Sequence, residues 1–165
     1  MSSTFQIEHN RLFGELREVL KTDIARITGK ANGGRSILFV YPPEDDDAYI
    51  AYAKENFNHD EYSFIDLRTL FTEFVSEQGI EQFQENYKEF GNEVFFSDNF
   101  YEETFFYYII KAIESSYRMN KIPVLVHTGA IYGMGFSNIN IMEHRIVMSA
   151  QLPLIAFYPA TVDKD

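Results

Sequence analysis

Leu12, Leu16, Val19, Leu20, Ile24 and Ile27 recur at the spacing of one helix face, with Glu15, Arg17, Glu18, Lys21 and Asp23 between them. That pattern predicts an amphipathic first helix, which is expected to stop at "GKANGG", where Gly33 and Gly34 supply a loop. The pattern then changes. Ile37 to Tyr41 is apolar without alternation and is closed by two prolines, Pro42 and Pro43, which predicts a strand covered on both faces. "EDDDAYIAYAKENF" reads as a helix with acids in its first turn, where they complement the helix dipole. "YSFIDL" predicts a second strand, and "RTLFTEFVSEQG" and "IEQFQENYKEFG" predict helices that end at Gly79 and Gly91. "NFYEETFFYYIIKAIESSYRMN" predicts one long helix capped by Asn99. "IPVLVHT" and "LPLIAFYPA" are the third and fourth strands, with "INIMEHRIVMSAQ" a single helix between them.

Strands that alternate with helices predict an α/β domain: three layers, doubly wound, with a mainly parallel four-stranded sheet and helices on both faces. The expected strand order is 2-1-3-4, with Ile37–Tyr41, Phe64–Leu67, Val124–Val126 and Leu154–Phe157 as the strands. Residues 1–165 show no repeat or linker and read as one domain. No helical pattern follows the fourth strand before "VDKD". Either that strand lies at an edge or the chain is a C-terminally truncated piece of a longer one, and truncation is the expectation.

Composition narrows the function. There are no cysteines, which removes disulfides, thiolate metal sites and thiol nucleophiles and suits a reducing cytoplasm. No apolar run reaches membrane-spanning length and the N-terminus lacks a secretory layout, so a cytoplasmic protein without membrane contact is expected. The net charge is −11, with Asp+Glu 25 against Lys+Arg 14. Such a chain opposes a phosphate backbone, and direct nucleic-acid binding is not expected. The 16 phenylalanines and 11 tyrosines are expected to fill the core and its margin.

Ligands in open parallel sheets sit beyond the carboxyl ends of the strands. A phosphate cradle is absent there: "TGKANGG" precedes the first strand, and prolines and acids follow it. No ATP binding and no cofactor are expected. Glu44-Asp45-Asp46-Asp47 reads first as a helix start, and second as a cation site. His127 ends an apolar strand, beside a loop containing Gly129, Gly133 and Gly135. The plainer reading is a shaped connector, with the histidine bonded to backbone and the glycines at positive φ. The sharper reading is a ligand or partner loop made of Asp46, His127, Thr128, Gly129, Tyr132, Glu143 and His144, with Asp46, His127 and His144 around a metal or small ligand. No nucleophile elbow accompanies Ser137, so no catalytic residue is assigned.

Four pieces in order, "SILFVYPPEDDDAYI", "FIDLRTLFTEF", "IPVLVHTGAIYGMGFSNINIMEH" and "LPLIAFYPATVDKD", resemble the BrxB proteins of BREX phage-defence systems. The resemblance spans roughly residues 10 to 165. The chain departs from the family pattern at Ala160, where a glycine usually follows the proline. The family's further C-terminal strand does not follow. What the resemblance implies is a non-enzymatic, cytoplasmic component of a bacterial antiviral system, working through other defence proteins that supply the DNA contact. It transfers no catalytic residue.

Overall fold

The computed structural model describes residues 3–27 and 36–161. The expected loop at Gly33 and Gly34 and the "VDKD" end lie outside the described residues. Eleven main elements follow one another: α1 (Ser3–Ile27), β1 (Ser36–Tyr41), α2 (Asp46–Asn56), β2 (Tyr62–Asp66), α3 (Leu67–Gln78), α4 (Ile80–Phe90), α5 (Phe105–Arg118), β3 (Ile122–Val126), α6 (Asn138–Met142), α7 (Arg145–Met148) and β4 (Leu154–Pro159). Short 3-10 turns precede α2 and α5, and others follow α4 and β3.

All four strands are parallel, as the apolar runs predicted, but their order is β1-β4-β3-β2 and not 2-1-3-4. Ser36 pairs with Leu154, Val124 with Ile155, and Ile65 with Leu125. The chain crosses the whole sheet from β1 to β2 and then returns one strand at a time. Opposite directions of travel with one crossover hand put the intervening helices on opposite faces. The fourth strand is therefore not an edge: β4 sits between β1 and β3. Burial shows why. β3 is buried at every position and β4 through Phe157, while β1 and β2 are buried only in part.

Each face carries its own core. On one, Phe13 and Leu16 of α1 and Tyr49, Ile50 and Ala53 of α2 cover Phe39, Tyr41, Val124, Val126, Ile155 and Phe157. On the other, Leu67 and Phe74 of α3, five residues of α5 from Phe105 to Ile113, Ile141 and Val147 cover Ile65, Leu125, Leu154 and Ala156. Aromatic rings dominate both layers: Tyr41 stacks on Tyr49 at 4.6 Å, and Phe39 meets Phe157 at 5.0 Å. Burying one such side chain contributes about 1.5–3 kcal/mol.

Local boundaries follow side-chain chemistry. Asp66 caps α3, accepting from the backbone N–H of Arg68 and Thr69. Gly79 (φ 88°) ends α3 and starts α4, and Gly91 (φ 59°) ends α4, conformations that a side chain resists. Two expectations are corrected. The long helix begins at Phe105, not near Asn99: Thr104, 1% exposed, accepts from Tyr107 N–H, and residues 101–103 form a separate 3-10 turn. "INIMEHRIVMSAQ" is two short helices, because His144 is extended and its ring caps the second by accepting from Ile146 N–H. Among the described residues, no helix is long and apolar enough to cross a membrane.

Candidate functional site at the carboxyl ends of the strands

β3 ends at Val126, and the next residue breaks the strand's alternation: His127 is left-handed, with φ 54° and ψ 45°. Such a conformation is costly for any residue with a Cβ, although histidine adopts it more readily than most. The following turn is pinned to the sheet, since the buried Thr128 donates through Oγ1 to the Phe157 carbonyl at 2.6 Å. Asp66 ends the neighbouring strand β2, in register with Val126. Its Oδ2 lies 2.9 Å from His127 Nδ1. The N–H direction at Nδ1 lies off that line, so the contact is a close electrostatic one and not a well-aligned hydrogen bond.

The Asp66 carboxyl is pushed up by its burial, but His127 and the backbone N–H groups of Thr69 and Arg68 outweigh that and hold it below the ordinary value. With Nδ1 facing Asp66, the other ring nitrogen, Nε2, lies 3.9 Å from Asp47 Oδ1. Asp47 and Asp46 occupy the first turn of α2. Asp46 is held by Tyr41, whose hydroxyl donates to Oδ1. Burial, first, and this carboxylate, second, push the Tyr41 hydroxyl well above its ordinary value and keep it a donor.

One ligand atom each from Asp46, Asp47 and His127 lie within 4.8 Å of one another. A histidine oriented by a carboxylate through one nitrogen, with carboxylates at the other, is a donor set that suits a divalent cation. Asp47 is 98% exposed, so the set opens to solvent.

The structure thus brings together Asp46 and His127 of the expected residues and adds Asp47 and Asp66. His127 meets carboxylates, not the backbone carbonyls expected of a connector. His144 does not join the group: its Nε2 is 2.7 Å from the Tyr101 hydroxyl, and its Nδ1 accepts from Ile146 N–H. Glu143 is exposed at the end of α6. Asp66 escaped the sequence reading because the expected order kept the second and third strands apart. A strand-ending acid beside a strand-ending histidine was the available signal.

Beyond Thr128, the glycine loop builds a second feature, a largely apolar groove of about 640 Å³. Leu38, Ile131, Tyr132, Phe136, Ile139 and Tyr158 line it with Thr128 and Gly129. Tyr132 is 93% exposed and Ile139 63%. Gly133 (φ 80°) and Gly135 (φ 90°) shape the loop, whereas Gly129 has an ordinary φ and open space at its Cβ. The groove exists because of the strand order. Among the described residues β1 is an edge, and its residue Leu38, 43% exposed, faces away from α1 and α2 and shares the groove with Ile139 and Met142 of α6.

No family model matches the chain, and neither a curated protein nor a solved structure is similar enough to match it.

Proposed function

We propose that the chain is a non-enzymatic protein-interaction component of a bacterial BREX-type antiviral defence system, and that it docks a partner protein of that system on the strand-end groove. The observation that carries this reading is the apolar groove on the side of β1 that faces away from α1 and α2, with Tyr132, 93% exposed, among its lining residues. Exposed aromatic and aliphatic side chains around a concavity are the form of a docking anchor. The four sequence pieces that resemble the BrxB proteins support the setting, and the net charge of −11 supports leaving DNA contact to partners. The test is co-expression with the other protein components of a BREX-type system, followed by size-exclusion chromatography. Tyr132→Asp and Ile139→Asp are expected to weaken co-elution by about tenfold or more while the melting temperature holds. Unchanged co-elution of both folded variants retires the reading.

A second reading, a metal- or small-ligand-dependent sensor, is supported by one specific observation: the convergence of Asp46, Asp47 and His127. Calorimetric titration with manganese decides it. One-to-one binding that is lost in Asp46→Asn and His127→Gln supports the sensor; no heat above dilution removes it.

A further inference from the structure

A second concavity, of about 570 Å³, opens between α3, α4 and the turn before α5, and shares no lining residue with the strand-end groove. Its rings are Phe74, Phe90, Phe100 and Tyr108, and its charges are Glu77, Glu93, Glu102 and Glu103; no lysine or arginine lines it. Phe90 and Phe100 lie 4.9 Å apart and are 36% and 38% exposed. Glu77 accepts a hydrogen bond from the Tyr108 hydroxyl at 2.8 Å. Among the described residues, none of the four glutamates is paired with a lysine or arginine; the ion pairs of those cations go to Glu8, Glu15 and Glu114.

Four like charges around one concavity repel each other. Burial first, then the Glu77 hydrogen bond and the charges of Glu77 and Glu73, push the Tyr108 hydroxyl up to about 12. Counter-charge delivered from outside relieves that repulsion. Aromatic faces attract cations as well, through the ring quadrupole. The cation that answers both is guanidinium: its plane stacks on a ring while its edge donates two parallel hydrogen bonds to a carboxylate. An ammonium matches only the charge. The space holds several side chains, more than a bare metal ion fills.

We propose that this groove docks an arginine-bearing segment of a partner protein, seated on Phe90 and Phe100 within the glutamate rim. This goes beyond the strand-end reading and stands or falls apart from it, since the two grooves are tested by different variants.

The probe is a fluorescein-labelled peptide alternating arginine with leucine, followed by anisotropy, with a lysine version as comparison. The protein is the full chain as wild type, as Glu93→Gln/Glu102→Gln/Glu103→Gln, as Phe90→Ala/Phe100→Ala, and as a charge-matched control, Glu44→Gln/Glu55→Gln/Glu61→Gln. All three control positions are exposed and lie outside the groove. The expected result is binding that weakens about tenfold in both groove variants and less than twofold in the control, with the arginine peptide preferred over the lysine one. Equal weakening in the control means general attraction to an acidic chain and overturns the proposal. So does an unaffected groove variant, a lysine peptide bound as well, or no binding by wild type. Sedimentation without peptide covers the remaining occupant: a dimer broken by the groove variants assigns the groove to a second copy and overturns the proposal too.

Discussion

His127 Nδ1 lies 2.9 Å from Asp66 Oδ2, a contact that joins the end of one parallel strand to the first residue beyond its neighbour. Asp66 serves two elements at once. Its Oδ1 accepts from Arg68 N–H at 2.9 Å and caps α3, while its Oδ2 faces the imidazole. With one ring nitrogen so occupied, the other is directed to the first turn of α2, from the opposite layer of the fold. Helices that cover different faces of the sheet therefore meet electrostatically at its carboxyl end.

The Asp66 carboxyl is held below its ordinary 3.8 in the folded protein, and the sign of its contribution follows. A depressed folded value means that the unfolded chain binds the proton first. The stabilisation is complete above 3.8 and is lost as pH falls from there through the lower folded value. Asp66→Asn is expected to be less stable than wild type by about 1 kcal/mol near pH 5. In urea unfolding series, that difference should shrink below pH 3.8. A difference that persists unchanged into stronger acid contradicts the lowered carboxyl.

Backbone strain sits at His127, not at Gly129. His127→Gly should be more stable than His127→Ala by about 1 kcal/mol, because alanine keeps the left-handed cost and glycine does not. Gly133→Ala and Gly135→Ala should each cost about 1 kcal/mol, since both have positive φ. Gly129→Ala should fall within about 0.5 kcal/mol of wild type. Chemical denaturation of the five variants checks the ordering. Equal stability of the two His127 variants removes the strain from the account.

The parallel strands were legible because "IPVLV" and "LIAF" are apolar at every position, as only strands covered on both faces are. The helix ends at Gly79 and Gly91 were legible because a positive φ selects glycine. Strand order was not, since it depends on which face each crossover takes, and no local pattern records that. The expected order already placed "YSFID" at an edge, but beside the first strand, so only the observed order brings Asp66 to the third strand. The half-site at Asp46 and His127 came from residue type at strand ends. Its completion by Asp47 and Asp66 needed the topology. The left-handed backbone at His127 left no mark in the sequence, because histidine does not announce a positive φ as glycine does.

The start of α5 separates two capping candidates. Thr104 accepts from Tyr107 N–H at 3.2 Å and donates to the Tyr101 carbonyl at 2.8 Å, in a buried position. Thr104→Ala is expected to destabilise the fold by about 1 kcal/mol, losing the cap and leaving the part-buried Tyr107 N–H without its acceptor. Asn99, exposed and upstream of the 3-10 turn, should tolerate alanine within about 0.5 kcal/mol. Thermal unfolding of both variants decides between the caps, and the reverse ranking would restore Asn99.

His144 provides a pH response on the other face of the sheet. Its Nδ1 accepts from Ile146 N–H at 3.2 Å, so the ring proton resides on Nε2 and is donated to the Tyr101 hydroxyl at 2.7 Å. A second proton would have to enter at Nδ1, opposite another N–H. Burial first, and the adjacent Arg145 cation second, lower the imidazole below its ordinary 6.5, against a smaller pull from Glu114. The unfolded chain thus takes up the proton first. The stability tied to the neutral ring is present above 6.5 and is lost as pH falls through the folded value. The ring resonances of His144 should titrate with a midpoint below 6.5, and Arg145→Gln should move that midpoint upward. His144→Gln should flatten the fall in stability between about pH 7 and pH 5 relative to wild type. His9, which burial also lowers, is present in both proteins, so the comparison isolates His144. A midpoint at or above 6.5, or a slope unchanged in His144→Gln, means that the ring accepts its second proton freely and that the cap at Ile146 does not depend on its neutral form.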